Sequence, residues 1–152
     1  MSITYIAHSA LQAADGNYCG VIADSDGRYR LYASFTVPDE WCMFICDTQD
    51  ADTIALRGVN NLYLSRVYYS KDDPHAIVAA KASVDVYSRF TVTRPDPTDQ
   101  SLIYLKADDN TYLSVIKDSP DNTPYIRSGK VTPDEWCKFR FQTVAVGVSP
   151  ST

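Results

Sequence analysis

The sequence has no run of Lys or Arg, and its 14 basic residues are outnumbered by 19 acidic ones, for a formal charge of −5. Phosphate backbones and anionic lipid headgroups are bound by cationic faces, so this balance argues against nucleic acid or a membrane surface as the partner. No stretch approaches the roughly 18 consecutive apolar residues of a membrane span, and membrane insertion is not expected. Met1 to Ile6 carry neither a basic n-region nor an apolar h-region, which predicts a protein of the cytoplasm or one released without a classical signal peptide. Cysteine is scarce too: Cys19, Cys42, Cys46 and Cys137. Without a signal segment they read as free, buried thiols, and the Cys42/Cys46 spacing is poor for zinc. Six glycines leave little room for a phosphate-cradling loop, and the two histidines, His8 and His75, stand beside no nucleophile motif. Gly-x-Ser-x-Gly and His-Glu-x-x-His are both missing. The sequence therefore predicts no enzyme, no cofactor and no bound metal.

What the sequence does contain is a repeat. Residues Ala10 to Ile22, Ala55 to Val67 and Tyr104 to Ile116 align without a gap. Each is a short strand, a turn of Asp, Asn or Gly, and a second strand opening on Tyr. Such residues tolerate positive φ or form side-chain turns, as a tight hairpin requires. Each copy closes on a second matched block. Val37-Pro38-Asp39-Glu40-Trp41-Cys42-Met43-Phe44 is nearly reproduced by Thr132-Pro133-Asp134-Glu135-Trp136-Cys137-Lys138-Phe139, with a looser copy from Val84 to Phe90. Further strand signals precede the closing blocks at Arg30–Tyr32, Ala76–Ala79 and Tyr125–Arg127.

Tyr18, Tyr63 and Tyr112 fall 45 and 49 positions apart, and Phe44, Phe90 and Phe139 fall 46 and 49 apart. Helical repeats of that period would show apolar residues at 3.6 spacing. Here the spacing is nearer two, with high β-branched and aromatic content. The reading is an all-β chain, a single β-trefoil domain over residues 1–152 with three four-stranded repeats (about 3–50, 51–98 and 99–146) and pseudo-threefold symmetry. The opening hairpins at Ala55–Arg66 and Tyr104–Ser114, with the aromatic and Phe closing each copy, resemble fascin-like and actin-crosslinking-like trefoils and the small fungal trefoil lectins. Ricin-B-type Gln-x-Trp triplets are missing, so that family's sugar site does not transfer. An acidic chain also lacks the basic patches that fascin-like contacts to acidic actin are expected to use.

Core positions are expected at Leu11, Leu56 and Leu105, at the three hairpin tyrosines, at the three closing phenylalanines, and at Trp41, Tyr87 and Trp136. Recurrence at one repeat position favours a shared aromatic layer over sugar-stacking platforms. The acids Asp39, Asp85 and Asp134 follow as turn formers rather than general acids or bases. Asp24-Ser25-Asp26-Gly27 opens like a calcium loop but has Phe35 where the last acidic ligand belongs, and it reads as a turn.

The loops between second and third strands diverge most, yet each keeps acids beside an aromatic. Carboxylates and amides pair with vicinal hydroxyls while a ring stacks on a pyranose face. The candidate ligand-binding residues are Asp24, Asp26 and Tyr29 in the first loop. Tyr68, Tyr69, Asp72 and His75 stand in the second, and Asp118, Asn122 and Tyr125 in the third. Ordinary solvated turns are the simpler account of the same residues. The expected partner is a glycan or glycoprotein bound by a non-catalytic, lectin-like module. The alternative is a protein partner, met as a protease inhibitor or non-catalytic subunit through the Tyr68–His75 loop.

Overall fold

Among the described residues, twelve β-strands make up almost all the regular structure. The computed structural model describes residues 4–117 and 123–148, with side chains from 8 to 143 in that span. In chain order the strands are β1 (Thr4–Gln12), β2 (Tyr18–Ala23), β3 (Tyr29–Phe35), β4 (Ile45–Thr48), β5 (Thr53–Arg57), β6 (Tyr63–Val67), β7 (Ala76–Lys81), β8 (Phe90–Thr93), β9 (Leu102–Lys106), β10 (Tyr112–Ile116), β11 (Tyr125–Lys130) and β12 (Phe139–Val148). One turn of 3₁₀ helix precedes each of β4, β8 and β12, at Glu40–Cys42, Val86–Ser88 and Glu135–Cys137.

The aligned hairpins share their turn chemistry. Gly16, Asn61 and Asn110 occupy the same place in the three segments, and all have positive φ, at 88°, 68° and 65°. In each, the residue before supplies a side-chain oxygen that accepts from the amide two positions on: Asp15 from Asn17, Asn60 from Leu62, Asp109 from Thr111. The left-handed residue and the side-chain turn thus recur together, for the reason that made these residue types informative.

Antiparallel pairing links β1 to β12, β12 to β9, β9 to β8, β8 to β5 and β5 to β4. A bridge between Ser9 and Phe44 returns from the entry of β4 to β1, so these pairings form a ring. Strands β3, β7 and β11 pair with one another in a triangle, through Arg30 and Val78, Ala76 and Arg127, and Tyr125 and Tyr32.

Leu11, Leu56, Leu105, Phe44, Phe90 and Phe139 are all at most 1% exposed, as expected. Each such side chain contributes roughly 1.5–3 kcal/mol by leaving water. Val21, Leu31, Leu64, Ile77, Leu113 and Ile126 of the hairpins close the same core. Most of the other aromatics differ from expectation. Tyr18, Tyr63 and Tyr112 are half-buried, and the Tyr63 hydroxyl donates to Asp47 at 2.6 Å. A phenol needs a partner for its hydroxyl, so these rings sit at the margin. Trp41 and Trp136 are half-buried as well, and Tyr87 is 43% exposed. All three lie on the 3₁₀ turns; Trp136 packs against the core from there, as expected, whereas Trp41 and Tyr87 do not join it.

The three acids of the closing blocks are indeed turn formers. Asp39, Asp85 and Asp134 each precede a 3₁₀ turn and accept from the amide of Trp41, Tyr87 and Trp136, at 2.9, 3.0 and 3.0 Å. Among the described residues no helix is long and apolar enough to cross a membrane.

Candidate functional site

The turn between β2 and β3 is held from within. Asp24 accepts from the amides of Asp26 and Arg28, both at 2.9 Å, and Gly27 takes a φ of 78°. Its other carboxylate oxygen accepts from Arg30 Nε at 2.9 Å. Burial pushes the Asp24 carboxyl up, but the Arg28 amide, the Arg30 guanidinium and the Asp26 amide together hold it below its ordinary value. The calcium-like start is thus a self-satisfied turn.

Arg30 joins two loops. Its Nη2 donates to Asp73, 43 residues away in the turn before β7, while Arg28 lies over the Tyr69 ring, 3.6 Å from its centroid. A guanidinium on an aromatic face is a favourable cation–π arrangement. It also covers one face of the Tyr69 ring.

Beside this junction opens a cavity of about 750 Å³. Asp24, Asp26, Asp72 and Tyr125 of the expected residues line it, joined by Asp73, Arg30 and Tyr32. Its size falls within the ~300–1,000 Å³ typical of ligand pockets. Four carboxylates face one guanidinium, which two of them already hold. Tyr29 lines a second cleft of about 330 Å³ with Phe35 and Trp41; Ile22 and Ala23 border both spaces. The rings of Tyr29 and Trp41 are nearly parallel, 8° apart, with centroids 6.4 Å from each other.

The remaining expected residues go elsewhere. Tyr68 is 63% exposed and lines neither space. His75 turns toward β11: its Nδ1 lies 3.1 Å from Ser128 Oγ and 3.3 Å from an Asp109 oxygen. His8 is within β1, opposite Val144. Asp118 and Asn122 lie outside the described residues.

Sequence reasoning missed Arg30, Tyr32 and Asp73, and assigned Trp41 to the core. Arg30 entered only as part of a strand signal; its role depends on a partner 43 positions away. Trp41 looked interchangeable with Trp136 because their neighbours in sequence are nearly identical. Their neighbours in space are not. Lys117 Nζ stands 5.3 Å over the Trp136 ring, and Arg66 and Lys81 stand 5.7 and 5.5 Å over Tyr87.

Cys19, Cys42 and Cys137 are buried and Cys46 half-buried, all as free thiols. Among the described residues no group of three or more His, Cys, Asp or Glu could hold a metal ion.

No protein-family model and no curated protein sequence matches this chain. Solved structures do. The SDF2-like protein from Arabidopsis thaliana is similar over 97% of both chains, with 12% identity and a TM-score of 0.71. The Polyporus squamosus lectin, solved bound to the human-type influenza-binding epitope Neu5Aca2-6Galb1-4GlcNAc, matches 91% of this chain and 49% of its own, at 11% identity and a TM-score of 0.68. The BEL β-trefoil in an apo crystal form matches 90% of this chain and 93% of its own, at 12% identity and a TM-score of 0.66. The likeness extends over nearly the whole chain at low identity, and what it establishes is a shared β-trefoil fold.

Proposed function

We propose that this chain is a non-catalytic, lectin-like module that binds a glycan or glycoprotein, built from three copies of a four-stranded unit (about 3–50, 51–98 and 99–146) in one domain. The observation that carries this reading is the cavity beside Arg30. Carboxylates of Asp24, Asp26 and Asp72 and the hydroxyl-bearing rings of Tyr32 and Tyr125 surround it. Carboxylates accept from sugar hydroxyls, tyrosines both donate and stack, and the Arg30 bridge keeps the two loops in place. The lectin among the structural neighbours supports the reading, since it was solved bound to a glycan. The module needs no cofactor and acts in the cytoplasm or after release without a classical signal.

A second reading, a protein-interaction module, draws on Tyr68, whose 63% exposure on a Pro-containing loop suits an interface anchor. A glycan array separates the two. Saturable binding to one glycan class, weakened by an Asp26→Ala/Asp72→Ala pair, supports the lectin. A silent array from folded protein removes the lectin reading. Both substituted residues are exposed, so the variant tests binding rather than folding.

A further inference from the structure

We propose that Tyr29 and Trp41 form a second sugar subsite adjoining the acid-lined cavity, so that the ligand is a neutral oligosaccharide of at least two units. The inference rests on the glycan-binding reading above.

Three observations carry it. No charged side chain lines the cleft of Tyr29, Phe35 and Trp41, whereas four aspartates and Arg30 line its neighbour, and Ile22 and Ala23 border both. A ligand crossing that border meets hydrogen-bonding groups on one side and ring faces on the other. Linked pyranoses have this alternation, with hydroxyl edges and apolar C–H faces.

The Trp41 site is also unlike its counterparts. The rings of Tyr87 and Trp136 have cations over them, whereas among the described residues none stands over Trp41. Instead Trp41 lies parallel to Tyr29, within the offset-stacked range of aromatic pairs. Tyr29 is 36% exposed and Ile22 equally so, so apolar surface is in contact with water along the cleft. Covering it with the C–H face of a sugar is favourable.

The third observation concerns charge and selects the class of sugar. Asp24, Asp26, Asp72 and Asp73 line the adjoining cavity, where Arg30 is already bonded to Asp24 and Asp73. A sialic or uronic acid entering there sets carboxylate against carboxylate, and the one guanidinium of the lining is already shared by two of them, so like charges repel. Neutral sugars meet no such penalty.

The test uses the full chain carrying Trp136→Phe, which leaves Trp41 as its one indole. Lactose, N-acetyllactosamine, chitotetraose, cellotetraose, their component monosaccharides and α2-6-sialylated N-acetyllactosamine are titrated while indole emission is followed. The expected result has three parts. A neutral oligosaccharide binds at least about tenfold tighter than its monosaccharides and shifts Trp41 emission at saturation. Tyr29→Ala weakens it about tenfold, and the sialylated form binds more weakly than its neutral parent. A monosaccharide as tight as its oligomer, unmoved emission at saturation, an unaffected Tyr29→Ala variant, or sialylated binding equal to neutral would each overturn the inference while leaving glycan binding in place. Folded protein that binds none of the saccharides removes both readings.

Discussion

Arg66 on β6 grips Asp108 in the β9–β10 turn with two parallel hydrogen bonds, Nε to Oδ1 at 2.6 Å and Nη2 to Oδ2 at 2.9 Å. The two side chains are only 14% and 10% exposed, and the remaining Nη1 donates to the Pro74 carbonyl at 3.2 Å. Removing one partner leaves the other charge largely buried. Asp108→Ala should therefore cost about 2–4 kcal/mol in urea unfolding. Arg66→Lys should recover little of the pair's contribution, because an ammonium cannot reproduce the planar fork.

Acid should destabilise the fold through its paired aspartates. Lys81 beside Asp85 and Lys130 beside Asp134 hold both carboxyls below their ordinary value, against the upward push of burial, and Asp24 is lowered as well. A group whose folded value is depressed stabilises the protein above its unfolded value, near 4. That contribution is lost as the pH falls through the lower folded values. The urea midpoint at about pH 5 should exceed that at about pH 2.5, and a flat profile between them would contradict the assignment.

The turn acids should matter individually. Replacing Asp39, Asp85 or Asp134 by Ala removes a cap from one 3₁₀ turn, at about 1 kcal/mol each. Asp85→Ala should be the costlier change relative to Asp39→Ala, since Asp85 also accepts from Ser88 and pairs with Lys81 at 2.9 Å. Thermal melts of the three variants check the order.

A Cβ placed on Gly20 would overlap the Phe35 ring. Gly20→Ala should lower stability by about 1–3 kcal/mol as overpacking. Phe35 lines the cleft of Tyr29 and Trp41, so the same change should perturb Trp41 emission in the Trp136→Phe background. Both readouts come from one denaturation series followed by fluorescence.

The thiols should be inert in the native state. Burial pushes Cys42 up to about 11 and Cys19 well above its ordinary value, and it raises Cys137 and Cys46 too. A thiol reagent near pH 8 should label Cys46 first, since it alone is half-buried, and reach all four quickly only in denaturant.

The residues that were legible in the sequence share one property: their roles are set by neighbours a few positions away. Asp15, Asn60 and Asp109 act on the amide two places on, and Asp39, Asp85 and Asp134 do the same. Arg30–Tyr32, Ala76–Ala79 and Tyr125–Arg127 fall inside β3, β7 and β11 because alternation is local too. The closing phenylalanines were legible because they recur at one place in the repeated sequence, and all three are buried in one core. Trp41 was not. Its local context, Glu-Trp-Cys, is identical to that of Trp136, and spatial neighbours tell them apart: the ring of Tyr29 on one, the core and the Lys117 ammonium on the other. The Arg28 guanidinium over Tyr69 and the Arg30 bridge to Asp73 likewise join loops that sequence spacing does not connect. The candidate site lies where the repeated sequence diverges, and there the repeat, which made the fold readable, carries no information.

The pairing of β1 with β12 runs through nine residue pairs, from Thr4 opposite Val148 to Gln12 opposite Arg140. Among the described strands, β1 therefore has its longest partner more than a hundred residues further along the chain. At a ribosomal pace of ~5–20 residues per second, β1 waits on the order of ten seconds before that partner exists. During that interval it has only the short contacts of β2 and β4 to hold its edge. Until then the ring of pairings stays open along a nine-residue strand edge, which closes only when residues 140 to 148 come to lie against residues 4 to 12.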